Sequence, residues 1–285
     1  MKLFIIGNGF DLHHGLATSY KDFVNYLEKN FKNVYLGFVK LMNKYSVDYF
    51  RTDITSKSYN WSELEYMMGA IECGELLVEH MDWNVPTSVN EEIKNMLEFG
   101  MNASNYLTPW VKSINQSLLE IKEKENLKQL LSVNDKFLSF NYTSTLKKIY
   151  GINNICYIHG HPPKKLIMGH TDSYNMQISS DDPSVLDEKY LRKYFSKSRK
   201  NIAQKLRSHS MFFSKENLGE VEKIYILGHS MNAIDIPYFE NIMKFTNLNS
   251  EWNIVCYSDN DFIKFQSVTQ NLKIKNVNFL TWDIL

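Results

Sequence analysis

Short apolar runs and amphipathic stretches alternate along most of this chain. The first run, Leu3 to Ile6, opens straight into Gly7-Asn8-Gly9 and a helix-like segment, which predicts a buried strand, a tight turn and a helix. Residues 18–31 predict the first full helix, capped by Ser19 or Thr18, with Tyr20, Phe23, Val24, Leu27 and Phe31 on one face. From about 60 to 130 the pattern stays helical. Ser62 and Glu65 have capping-box spacing, and Trp61 with Tyr66 has the spacing of a hydrophobic staple. Leu64, Met67, Met68 and Ile71 continue one stripe; Pro109 is expected to break the run before Trp110, Ile114, Leu118 and Ile121 make another. These Met and aromatic stripes read as core packing. Strands are expected at 136–141, 154–158, 165–168, 223–227, 252–257 and near 275–282, with helices around 184–214, 235–246 and 260–271. Such alternation predicts an α/β fold built on a mostly parallel sheet covered on both faces.

Composition narrows the class. With 285 residues the chain is long enough for one large domain, or for a core domain carrying an insertion. The expected division is a Rossmann-like core of residues 1–34 and 131–285 with a helical insertion at 35–130, after the first strand–helix unit. Its 32 basic and 32 acidic residues cancel, so no global pull toward nucleic acid or a membrane surface is implied. Cys73, Cys156 and Cys256 are odd in number and far apart, which argues against a disulfide framework and a four-cysteine zinc module. The leading apolar run is too short for a signal-peptide core, and no later run is long enough to span a bilayer. A reducing cytoplasm is the expected location.

In an open α/β sheet, ligands sit beyond the carboxyl ends of the strands, where strand order reverses. Four apolar runs here end in polar or glycine-containing sequence: Gly7-Asn8-Gly9-Phe10-Asp11, Phe140-Asn141-Tyr142-Thr143, His159-Gly160-His161, and Gly228-His229-Ser230 with Asn232 and Asp235 beyond it. The first has Gly-x-Gly without a third glycine, since Leu12 occupies that position. It suits either an anion held by backbone N–H groups or a tight turn that binds nothing. His159 suits a proton acceptor near neutrality, or a structural histidine; Asn141 suits a ribose contact, or an Asx-turn.

Gly7 to Phe23, Phe140-Asn141-Tyr142-Thr143, Ile158-His159-Gly160 and Gly228 to Asp235 together resemble the AbiH family of bacterial phage abortive-infection proteins. The resemblance runs the length of the chain and implies a role in shutting down an infected cell before phage can spread. The same order of motifs is similar, more distantly, to sirtuin-like NAD-binding domains. That resemblance implies a sirtuin-like Rossmann fold and hydrolysis of NAD at the nicotinamide–ribose bond. Asn141 and His159 would then be catalytic, Asn141 holding a ribose hydroxyl or the attacking water and His159 taking a proton. Gly7, Asn8, Gly9, Phe10, Asp11, Gly160, Gly228, His229, Ser230 and Asp235 would bind the dinucleotide, with Asp235 alternatively capping its own helix. No Cys-x-x-Cys pair exists to build the zinc module of deacetylating sirtuins, so deacetylation is not implied and no metal is expected. A phage-derived trigger and self-association are compatible partners; nucleic acid and membrane are not expected ones.

Other readings compete. His159, His161, His170 and Asp172 have the residue types of a divalent-metal site, which would suit a metal-dependent nuclease or phosphoesterase. Residues 189–207 carry eight Lys and Arg without an acid, interleaved with Tyr190, Tyr194 and Phe195. That composition suits a solvated face, a nucleic-acid contact, or a basic lid over phosphates. His13 and His14 read as solvated or packing residues. A protein that only senses a nucleotide is the non-enzymatic alternative.

Overall fold

The structure, a computed structural model, describes residues 1–45, 61–71, 91–171 and 186–285. Its centre is a six-stranded sheet: β1 (Lys2–Ile6), β2 (Lys136–Ser139), β3 (Ile155–Tyr157), β4 (Lys223–Leu227), β5 (Glu251–Val255) and β6 (Val277–Leu280). The strands lie in the order β3-β2-β1-β4-β5-β6 and every pair is parallel. This is the doubly wound order, whose direction of winding reverses between β1 and β4.

A strand covered on both faces has no polar side to show, and β1 reads Leu3-Phe4-Ile5-Ile6, all buried. Alternate side chains go to opposite faces. Leu3 and Ile5 join a cluster with Leu138, Ile224, Ile226, Trp252 and Ile254, while Phe4 and Ile6 join Phe137, Leu146, Leu227 and Val255. In register across three strands, the Phe4 ring stacks 5.2 Å from Phe137 and 5.1 Å from Tyr225.

Along the chain β1 leads into α1 (Asn8–His13), α2 (Tyr20–Asn30), α3 (Lys32–Tyr45), α4 (Trp61–Gly69), α5 (Glu91–Ser117) and α6 (Glu125–Leu130), so a helical region follows β1 and precedes β2. Between β2 and β3 lies α7 (Thr145–Tyr150). Helices α8 (Leu186–Ser198), α9 (Ile202–Ser208) and α10 (Lys215–Leu218) precede β4, and α11 (Ile236–Phe245) and α12 (Asp259–Asn271) flank β5. The chain divides into two compact units, 1–18 with 111–165 and 202–285, and 19–110 with 166–201. The first contains the whole sheet.

Several local expectations change. Ser19 caps α2 in a full capping box with Asp22. Ser62, by contrast, lies inside α4, and Glu65 is not its cap partner: it is buried and forms an ion pair with Lys200. Tyr66 is exposed rather than stapled to Trp61, whose ring packs against Phe23 and Trp110. The break in α5 falls at Asn102 (φ −130°, ψ 28°), and the helix runs through Pro109. Residues 165–168 form no strand; Leu166 is instead held by the Ser104 hydroxyl.

The second unit is held at Lys200 as well as by its apolar stripes. Lys200 and Glu65 are both buried, the Gly169 amide donates to the same Glu65 oxygen, and the His170 backbone donates to Ser198 O and accepts from the Lys200 amide. Tyr194 is fully buried with its hydroxyl donating to the Met68 carbonyl, and Phe195 packs on His170. Of the basic 189–207 segment, therefore, these two aromatics and one cation are core rather than a nucleic-acid platform.

Candidate functional site

The polar strand ends gather at the carboxyl edge of the sheet around the β1/β4 reversal. The β1–α1 turn is bonded to the turn after β4: Gly7 N–H donates to Leu227 O (3.1 Å) and Gly9 N–H to Gly228 O (2.8 Å). This approach explains the glycines. A Cβ on Gly7 would lie 2.4 Å from His229 Cα, and one on Gly9 2.7 Å from Gly228 Cα. Gly228 adopts φ +67°, and its Cβ would sit 2.2 Å from Phe10 N. Both amides of the Gly-x-Gly pair thus serve the loop–loop contact, which requires the glycines independently of any ligand. Phe10 is fully buried, its ring packing on His14, Tyr150 and Trp282.

Asp11, one turn into α1, is 1% exposed. Its two carboxylate oxygens accept from Thr143 Oγ1 and Thr145 Oγ1, each at 2.6 Å. Burial raises its pKa from 3.8 to about 6, against hydrogen bonds from Thr143, Thr145 and Asn141 that lower it. A folded-state pKa above the unfolded one means that protonated Asp11 stabilises the fold below about pH 4, and that this contribution is lost as pH rises through 6. In urea denaturation at pH 4 and 7.5, Asp11→Asn is expected to gain stability relative to wild type by about 2 kcal/mol over that interval. A difference that stays constant with pH would contradict the assignment.

Asn141, at the end of β2, is buried and donates from Nδ2 to Gly7 O at 3.0 Å, while its backbone is braced by the Ser139 hydroxyl. This bond joins the β1 and β2 ends, and the Asn141 side chain lies close enough to Asp11 to help lower its pKa. Thr143 from the Phe140–Thr143 motif, with Thr145 and Tyr157, which were not singled out from sequence, lines a cavity of about 10 Å³ together with Asp11 and Asn141.

His159, just past β3, is 6% exposed and packed by the rings of Phe140 (5.4 Å), Tyr142 (6.4 Å) and Tyr238 (6.3 Å). Gly160 follows at φ +86°, closing a turn onto Tyr157 O. Phe140 is shared: its other side meets the His229 ring at 4.2 Å. His229 Nδ1 accepts from the Met231 amide at 3.0 Å, which places the ring proton on Nε2, 3.4 Å from Asp235 Oδ2. Asp235 makes no side-chain cap bond to α11 and faces His229 instead. Ser230 is exposed and accepts from the Asn232 amide, and Asn8 is half-buried at the start of α1.

His13, His14 and His161 make contacts within the fold. His14 is buried between Phe10 O (2.7 Å) and the Tyr150 hydroxyl (2.6 Å), and burial lowers its pKa to about 4. The His13 ring stacks on Trp282. His161 bonds the Ser144 hydroxyl at 2.8 Å. Among the described residues no three His, Cys, Asp or Glu side chains form a group with metal-ligand geometry; Asp172 and Cys73 lie outside them. Among the same residues no helix is long and apolar enough to cross a membrane.

These features define a doubly wound, all-parallel α/β protein with its polar strand ends converging on one switch point. The chain belongs to the AbiH family: the model described as bacteriophage abortive infection AbiH matches residues 3–257. It is thus an abortive-infection protein of phage defence, and the match takes in every strand end described above except that of β6. No curated protein and no solved structure matches it significantly.

Proposed function

We propose that this protein binds NAD or a closely related dinucleotide across the β1/β4 switch point and hydrolyses its nicotinamide–ribose bond during phage infection. The observation that carries this reading is the placement of the strand ends in the order β3-β2-β1-β4-β5-β6. Asn141 and His159 lie on the β2/β3 side of the β1 turn, and Gly228 to Ser230 lie on its β4 side. A dinucleotide has two halves to seat on either side of such a turn.

The chemistry suits these groups. The scissile bond carries a cationic leaving group, so the transition state is oxocarbenium-like and needs an oriented ribose, a positioned water and one proton acceptor. Asn141, fixed by Gly7 O and next to Asp11, offers an amide to a ribose hydroxyl or the water. His159 takes the water's proton, and the rings of Phe140, Tyr142 and Tyr238 around it limit solvent access. The buried Asp11 charge favours the developing positive ribose.

Metabolite analysis of infected cells tests the reaction. Nicotinamide and ADP-ribose should accumulate together with wild-type protein, and Asn141→Ala should cut their production about 100-fold or more. Appearance of AMP and nicotinamide mononucleotide instead would mean cleavage at the pyrophosphate and would exclude the proposed bond. Folded Asn141→Ala and His159→Ala proteins that bind nucleotide and still arrest infected cells would favour a non-enzymatic sensor.

A further inference from the structure

We propose that the small cavity between Asp11 and Tyr157 seats one hydroxyl of the ribose that bears the reacting bond, and thereby selects ribose over deoxyribose. The inference rests on the NAD reading above and adds to it a specificity pocket. Three strand ends build the cavity: Asp11 from the β1 turn, Asn141, Thr143 and Thr145 from the segment after β2, and Tyr157 from β3. Its volume of about 10 Å³ is that of a single oxygen-sized group.

Ile6, Phe10 and Leu146 make part of the wall apolar, and its polar part is incompletely used. Among the described residues, Asp11 is held by neutral hydroxyls and an amide, and no Lys or Arg contributes to its environment. The Tyr157 hydroxyl is buried with no hydrogen-bond partner among these residues, and it is close enough to feel the Asp11 charge. A buried donor beside a buried carboxylate calls for a group that accepts from one and donates to the other. A sugar hydroxyl does both, whereas a phosphate oxygen would meet Asp11 as a like charge. A ribose placed here also lies beside Asn141, on the same side of the β1 turn as His159.

The test is calorimetric binding of NAD and of its 2′-deoxy and 3′-deoxy nicotinamide-ribose analogues to the full chain, wild type and Tyr157→Phe. Tyr157→Phe removes one oxygen and leaves the ring in place. Loss of the seated hydroxyl should raise the wild-type Kd about 10- to 100-fold, as expected for a hydrogen bond to a charged group. Tyr157→Phe should shrink that ratio by about fivefold. It should leave unchanged the ratio for an analogue deoxygenated in the adenosine half. Wild-type protein that binds NAD and both analogues equally would overturn the pocket while sparing the NAD reading. So would a Tyr157→Phe protein with undiminished discrimination. Wild-type protein that fails to bind NAD would overturn both.

Discussion

Gly228→Ala should destabilise the protein by roughly 2–5 kcal/mol, the sum expected for an alanine forced to positive φ and for an overpacked contact. Gly228 holds φ +67°, and its added Cβ would stand 2.2 Å from Phe10 N and 2.4 Å from Gly9 C. Those neighbours are backbone, so no rotamer change relieves the clash. Moving the loops apart would also break the 2.8 Å bond from Gly9 N–H to Gly228 O. Gly151 provides the control, since it has φ +68° with nothing within 4 Å of its Cβ position. Gly151→Ala should therefore cost only about 1–2 kcal/mol, the conformational part alone. Urea denaturation of the two variants separates the effects, and equal losses would show that the loops do not pack as described.

Breaking the Lys200–Glu65 pair ranks beside it. Both side chains are buried, so Lys200→Met leaves the Glu65 carboxylate buried without the Lys200 ammonium, with Gly169 N–H still donating to it at 3.5 Å. Removing one partner of a buried pair costs about 3–5 kcal/mol, whereas apolar replacement of both is often neutral. Lys200→Met should thus be strongly destabilising, and Glu65→Leu added to it should recover most of the loss. An additive double variant would mean that the two side chains do not act as a pair.

Much of the sheet was legible in the sequence because a doubly covered parallel strand must be apolar throughout. The run Lys223–Leu227 is bounded in the fold as its pattern predicts, and β1 follows Leu3–Ile6 to within a residue. The stretch at 165–168 is equally apolar yet forms no strand, since Leu166 and Met168 are buried by tertiary contacts that periodicity does not distinguish from a sheet. Glu65 read as a cap because its partner, Lys200, is far away in sequence.

The site was legible as strand ends and not as contacts. Gly7 and Gly9 are visibly a strand-to-helix turn, but their close approach to Gly228 depends on β1 and β4 being neighbours. Asp11, Asn141 and the His159 segment stand out as polar residues after apolar runs. Thr145 and Tyr157 do not, because a threonine opening a helix and a tyrosine ending a strand are unremarked until β2 places their hydroxyls near Asp11. The basic aromatic segment misled for the converse reason: Tyr194 and Lys200 look solvent-facing in sequence and are core in the fold.

The central claim is that infection consumes NAD at this edge of the sheet. Intracellular NAD followed through phage infection, in cells carrying wild-type protein or His159→Ala at matched expression, tests it most directly. NAD should collapse with the wild type and hold with His159→Ala, which should also lose protection. Protection by the wild-type protein with NAD unchanged would contradict the account.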